Sequence, residues 1–302
     1  MMKNVISEIK KYKIGDYLEN IPMAKYTTYR IGGEAALIVY PDNAEKLVKL
    51  IEILRKENVK YKVLGNGSNV VFSDKPYEGV IIKLDSINHL KIDDTIVKVG
   101  SGYNLMKLSY KLSQMGLGGM EFATGIPGTV GGGVYMNAGA YKSDMGYIVS
   151  SIKVITPELE IKDIYNKDLG FHYRKSFLQH NKDYICIEAT LVLKQGNVKE
   201  ILTLIEDRKQ KRLLTQPLEY PSAGSVFRNP TNDFAGHLIE EVGLKGYSMG
   251  GALVSPKHAN FIVNYNHATA DDIRNLIMHV KSEVKKQKGV DLLVEQEFVN
   301  WE

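Results

Sequence analysis

Cysteine is nearly absent from this sequence. Cys186 is the only one in 302 residues, which excludes an intramolecular disulfide and any cysteine-cluster metal or iron–sulfur centre. It lies on the alternating run Tyr184–Leu193 and reads as a packed strand residue rather than a nucleophile. The seven histidines show no HExxH or paired spacing, so no metal is expected. No stretch approaches the roughly 18 uninterrupted apolar residues of a membrane span, and no N-terminal run resembles a signal h-region. The expected location is the cytoplasm, without a membrane partner. An excess of either charge is also lacking: 39 basic against 35 acidic side chains leave +4. The lysine-rich run Lys281–Lys288 closes a helix, where cations complement the dipole, so no nucleic-acid partner is expected. The segment Ala223-Gly224-Ser225-Val226-Phe227 lacks Gly-x-Ser-x-Gly and is not a nucleophile elbow, so a serine hydrolase built on it is not expected.

Glycine, by contrast, is concentrated. Gly118–Tyr141 reads GGMEFATGIPGTVGGGVYMNAGAY. Gly125, Gly128, Gly131, Gly132, Gly133 and Gly139 there permit positive φ and close backbone approach, which suits turning amides toward a phosphate-bearing ligand. A second stretch, Gly65-Asn66-Gly67-Ser68-Asn69, joins the apolar runs Val63-Leu64 and Val70–Phe72. Neither cluster is expected to open a helix after a strand, as dinucleotide and P-loop fingerprints do. Two amide-rich loops suit the two ends of one pyrophosphate.

At 302 residues the chain exceeds the usual size of a single core, so two or more lobes are expected. Val5, Ile6 and Ile9 predict a leading helix, with a connector to about Lys25. A strand over Ala35–Tyr40 precedes a helix carrying Leu47, Leu50, Ile51 and Leu54, and further strands follow at Val80–Leu84 and Ile96–Val99. Asn104 caps a helix to Met115, with Gly116 just past its end. Strands over Ser151–Thr156 and Tyr184–Leu193 come next. Asn197 with Glu200 opens a helix, Asp233–Val242 is a second and Ala270–Lys288 a third, introduced by Thr269 and Asp272, with a strand at Phe261–Val263 between the last two.

The two glycine stretches resemble the flavin-binding half of the UDP-N-acetylenolpyruvoylglucosamine reductase family, of the vanillyl-alcohol-oxidase (PCMH) type of FAD fold. Phe171–Ser176 (FHYRKS), Pro221–Pro230 (PSAGSVFRNP) and Leu292–Glu297 fit the same family in the same order, so the likeness runs from about Tyr26 to Glu297. It implies an α+β chain: a connector over 1–25, a two-lobed FAD-binding domain over 26–195 (lobes about 26–85 and 86–195), and a substrate-binding domain over 196–302. The interval from Arg174 to Ser225 matches the branch without an extra tyrosine loop.

The resemblance further implies an activity. The family reduces UDP-N-acetylglucosamine enolpyruvate to UDP-N-acetylmuramate, a peptidoglycan precursor, with NADPH reducing FAD first. Hydride from flavin N5 reaches the terminal alkene carbon and leaves negative charge beside the substrate carboxylate. Arg174 maps onto the arginine that supports this charge, since a guanidinium fork matches a carboxylate; its neighbour Lys175 is the alternative. Ser225 maps onto the proton donor and Glu295 onto the catalytic glutamate, ionised or protonated, with Glu297 a rival. Cofactor contacts are implied at Tyr29, Arg30, Gly65, Asn66, Gly67, Ser68, Asn69, Thr124, Gly125, Pro127, Gly128, Thr129, Gly133 and Gly139. Tyr141 and Asn229 match substrate contacts, and Lys209, Lys211 and Arg212 are unranked candidates for the nucleotide sugar. The rival readings are a flavin oxidase of the same fold and a non-catalytic nucleotide-binding module. Neither candidate cradle loop carries a histidine, so the FAD is expected to be non-covalent. Acid precipitation should release a yellow chromophore to the supernatant, and colour retained in the pellet would refute this.

Overall fold

The structure, a computed structural model, describes residues 2–301. The chain forms two compact units, each assembled from three segments: Met1–Glu19, Leu37–Gly65 and Glu78–Lys209 in the first, and Asn20–Ala36, Asn66–Tyr77 and Gln210–Glu302 in the second. The expected boundary at Gly196 falls just before the helix Val198–Thr215. The units divide inside that helix, after Lys209.

The first unit holds two cores. One lies about a four-stranded sheet in the order Gly15–Pro22, Glu34–Pro41, Tyr77–Ile82, Tyr61–Val63. Against it pack Val5 and Ile9 of the helix Met2–Tyr12 and Leu47, Leu50, Ile51 and Leu54 of the helix Ala44–Lys56. Asn43 starts the second of these helices by accepting the Lys46 N–H at 3.0 Å. The strand Gly15–Pro22 replaces the expected connector: it is an edge strand with five exposed residues, so it has no apolar alternation to betray it.

The other core of this unit lies on a five-stranded antiparallel sheet in the order Ile161–Tyr165, Val149–Ile155, Ile185–Val192, Ile96–Gly100, Leu90–Asp93. The expected helix is Leu105–Gln114, with Asn104 Oδ1 accepting the Lys107 N–H at 2.9 Å and Gly116 at φ +78° after its end. Cys186 is buried in this core, receives the Ser101 hydroxyl at 3.2 Å, and has its thiol pushed up to about 11 by burial.

The second unit packs the helix Ala270–Lys288 on a three-stranded sheet of Ser248–Met249, Ala252–Val254 and Ile262–Asn264. The helix Ala235–Glu241 joins the same core, and Glu297–Val299 pairs in parallel with Val70–Phe72. Thr269 and Asp272 form both halves of a capping box at the start of the long helix. Thr269→Ala removes an acceptor from that helix end and should cost about 1 kcal/mol. Urea unfolding should show a lower midpoint at unchanged slope.

Candidate active site

The glycine stretch behaves differently from the sequence expectation. None of Gly125, Gly128, Gly131, Gly132, Gly133 and Gly139 adopts a positive φ. Three of them instead permit close packing: a Cβ on Gly131 would lie 2.8 Å from Ser101 Cβ, on Gly133 3.3 Å from Leu105, and on Gly139 2.5 Å from Asp144. The cluster also opens a short helix, Val130–Tyr135, in which Thr129 accepts the Gly132 N–H at 3.2 Å. That helix follows a 3-10 turn over Glu121–Gly125 rather than a strand, so no dinucleotide fingerprint arises. Gly65 through Asn69 is the expected loop between two strands.

Within the first unit, folding brings Gly65 onto Thr129. A Cβ on Gly65 would meet Thr129 Oγ1 at 2.8 Å, whereas one on the buried Gly128 would meet nothing within 4 Å. One glycine has no room for a side chain and the other borders open space. The neighbouring Thr124 is buried and bonded to the Glu121 carbonyl at 3.0 Å, while Pro127 is exposed.

The positive φ angles sit on bulkier residues. Gly139–Ala140 pairs with Ser143–Asp144 through a two-residue turn, and both turn residues, Tyr141 and Lys142, have positive φ, at +55° and +61°. Asparagine and glycine are the residues that favour such a turn. Tyr141 is 43% exposed; its hydroxyl donates to the Arg208 carbonyl at 3.2 Å and its ring lies under the Arg208 guanidinium at 4.7 Å. Arg174 is also at positive φ (+55°), in a tight turn closed by His172 and Lys175. Its Nη2 donates to the Gly139 carbonyl at 2.8 Å, so the structure joins Arg174 to the Tyr141 hairpin.

In the second unit, Ala223–Arg228 runs against Leu292–Gln296. The Glu295 N–H donates to the Val226 carbonyl at 2.8 Å and the Arg228 N–H to the Leu293 carbonyl at 2.9 Å. Ser225 and Glu295 are thereby on bonded neighbouring segments, both half-buried. Gly224 precedes the serine at φ +74° with nothing near its Cβ position, so this glycine serves backbone conformation. Asn69 adds a bond from Nδ2 to the Glu295 carbonyl at 3.1 Å. Gly67 is fixed by the Thr28 N–H at 3.1 Å, and a Cβ there would lie 2.1 Å from the Tyr26 carbonyl.

Some implied contacts have other work. Tyr29 is fully buried; its hydroxyl donates to Gln296 Oε1 at 3.0 Å, and burial pushes its pKa well up. Its side chain is a core group. Arg30 is exposed at φ +57°. Asn229 Oδ1 accepts the Ala235 N–H at the start of the helix Ala235–Glu241.

The sequence reading missed the amide clamps. Asn260 receives the Phe227 N–H at 2.9 Å and donates to the Phe227 carbonyl at 2.8 Å, and Gln296 donates to the carbonyls of Ala223 and Gly224 at 3.2 and 3.3 Å. Polar residues inside His258–Asn264, otherwise strand-like, were the available signal. Arg228 was missed too; its Nε is buried with no hydrogen bond among the described residues.

Residues 35–164 match the family model of an FAD binding domain, and residues 216–299 match that of the UDP-N-acetylenolpyruvoylglucosamine reductase C-terminal domain. A reductase of that name from Anoxybacillus flavithermus is 48% identical over 299 residues, 99% of both chains. The chain belongs to the UDP-N-acetylenolpyruvoylglucosamine reductase family. The Bacillus subtilis reductase is 42% identical over 99% of both chains. The crystal structure of the Thermus caldophilus enzyme superposes with a TM-score of 0.79 at 33% identity, covering 93% of this chain and 98% of that one. The architecture is therefore the expected PCMH-type FAD-binding part with a C-terminal α+β domain, and the chain is an FAD-dependent oxidoreductase. The cradle fits the cofactor, for the packed Gly65 and the open Gly128 present backbone, not side chain. No helix among the described residues is long and apolar enough to cross a membrane.

Tyr29→Phe deletes the hydroxyl and leaves Gln296 Oε1 buried without its donor. The expected loss is about 1–3 kcal/mol of stability, read as a lower midpoint in chemical unfolding.

Proposed function

We propose that the chain reduces UDP-N-acetylglucosamine enolpyruvate to UDP-N-acetylmuramate for peptidoglycan synthesis, with NADPH as the reductant. Family membership supports the reaction and substrate. The observation that carries the assignment of residues is the backbone pairing of the Ser225 segment with the Glu295 segment. In this reading residues 26–195 serve the cofactor and residues from Gly196 serve the substrate.

Bound FAD, once reduced by NADPH, supplies the hydride that the alkene accepts. The chain's own residues handle the charge and the proton. Gly65, Gly128 and the neighbouring Thr129 would hold the cofactor through backbone amides, with Asn66–Asn69 completing the loop. Arg174 would face the substrate carboxylate. Its guanidinium, which donates to the Gly139 carbonyl, is a planar fork whose geometry matches a carboxylate. Charge developing on the carbon beside that carboxylate is thus met by a fixed cation.

Ser225 would donate its hydroxyl proton to that carbon and regain one from solvent. A serine hydroxyl is a weak acid, yet the carbanion is a stronger base than an alkoxide, so the transfer runs downhill. Its hydroxyl makes no hydrogen bond among the described residues. Glu295 would orient the substrate from the paired segment, with Tyr141 and Asn229 as substrate contacts.

The test separates the two half-reactions. Ser225→Ala should leave anaerobic bleaching by NADPH intact, because that step delivers no proton to a substrate carbon. Mixing the reduced variant with the enolpyruvyl substrate should restore flavin absorbance about 10²–10⁴-fold more slowly. Reoxidation at the unmodified rate, or a defect confined to NADPH, would refute the role.

A further inference from the structure

Lys83 is the single charged side chain in the buried set among the described residues, at 4% exposure. It follows the strand Tyr77–Ile82, and its N–H continues the sheet by donating to the Val39 carbonyl at 2.9 Å. Burying an ammonium is costly, so such a group is kept for a reason beyond packing. Two partners meet it. Asp85 Oδ1 lies 3.3 Å from Nζ, on a side chain that is half-exposed. An ion pair of that kind forms equally well at the surface, so it does not account for the burial. The other partner is the Gly65 carbonyl, to which Nζ donates. Burial pulls the pKa of Lys83 down and Asp85 acts against this.

The Gly65 bond has a geometric consequence. No peptide bond among the described residues is cis, and in a trans peptide the C=O and N–H point in opposite directions. An ammonium that draws the Gly65 carbonyl inward therefore turns the N–H across the same bond outward. A Cβ on Gly65 would lie 2.8 Å from Thr129 Oγ1, so the loop backbone runs close to the start of the helix Val130–Tyr135. The buried cation holds the carbonyl side of that peptide.

We propose that Lys83 is a positioning residue for the cofactor loop: through the Gly65 carbonyl it fixes the outward amide that receives the pyrophosphate of FAD. This rests on the assignment of Gly65–Asn69 as a cofactor loop, and the proposal names what aims it. Lys83 acts on the anionic part of the cofactor and is indifferent to the isoalloxazine ring.

Flavin can be stripped from the purified full chain and the apoprotein titrated with FAD and with riboflavin, following flavin fluorescence. Lys83→Met should weaken FAD binding by about tenfold to a hundredfold, the range of a hydrogen bond to a charged group, and leave riboflavin affinity unchanged. Lys83→Gln, which keeps a donor without the charge, should recover part of the FAD loss. It also serves if the methionine variant does not fold. Unchanged FAD affinity in both variants would overturn the proposal. So would an equal loss for FAD and riboflavin, which is the mark of a purely structural lysine. A parent protein that binds riboflavin as tightly as FAD would overturn the loop assignment itself, and the proposal with it.

Discussion

Irregular backbone cannot be buried unpaired, and this constraint shapes both halves of the candidate site. Helix and sheet ladders satisfy their own N–H and C=O groups, but the segments that carry Arg174, Ser225 and Glu295 belong mostly to neither. Side-chain amides take the place of the ladders. In the first unit Asn137 donates to the His172 carbonyl at 2.8 Å and accepts the Gly146 N–H at 2.9 Å, while Gln179 donates to the carbonyls of Tyr135 and Arg174 at 2.9 and 3.1 Å. In the second, Asn260, Gln296 and Asn264 do the same for Phe227, for Ala223 with Gly224, and for Tyr29. A carboxamide suits this work because it offers donor and acceptor together and carries no charge to desolvate.

This explains what was legible in the sequence. Helices announced themselves through apolar spacing and caps, and the caps read at Asn104 and Thr269 are made by side chains accepting the N–H three residues on. Central strands such as Ile185–Val192 were visible from alternation. The edge strands Gly15–Pro22 and Ile161–Tyr165 were not, because one exposed edge and few buried residues leave no pattern. The amide clamps were hidden for another reason. Each pairs positions between 5 and 235 residues apart, and no local period marks them.

The glycine stretch shows the same limit from the other direction. Its composition suggested left-handed backbone, yet none of the six expected glycines adopts it; three of them serve close packing, and the left-handed residues nearby are Gly119, Asn137, Tyr141, Lys142 and Arg174. A non-glycine residue held there costs of order 1 kcal/mol or more and persists only where its surroundings over-determine it. At Arg174 the determinants are on view: the His172–Lys175 turn, the Gln179 bond to its carbonyl and the Gly139 carbonyl at its guanidinium. Packing alone gives no reason to place a long cation in that conformation. A requirement on where the guanidinium stands does, and this supports the role proposed for Arg174.

The same reasoning bears on Glu295 and Glu297. Gln296 between them lies at a bend, 4% exposed and anchored by Tyr29, Ala223 and Gly224. The strand begins only at Glu297, so strand alternation does not separate the two glutamates. Their backbone partners do. The Glu295 N–H is bonded to Val226, the residue after Ser225, whereas the Glu297 N–H is bonded to Asn69 and its strand pairs with Val70–Phe72. This supports the role proposed for Glu295 beside Ser225, while Glu297 belongs to the parallel strand pair.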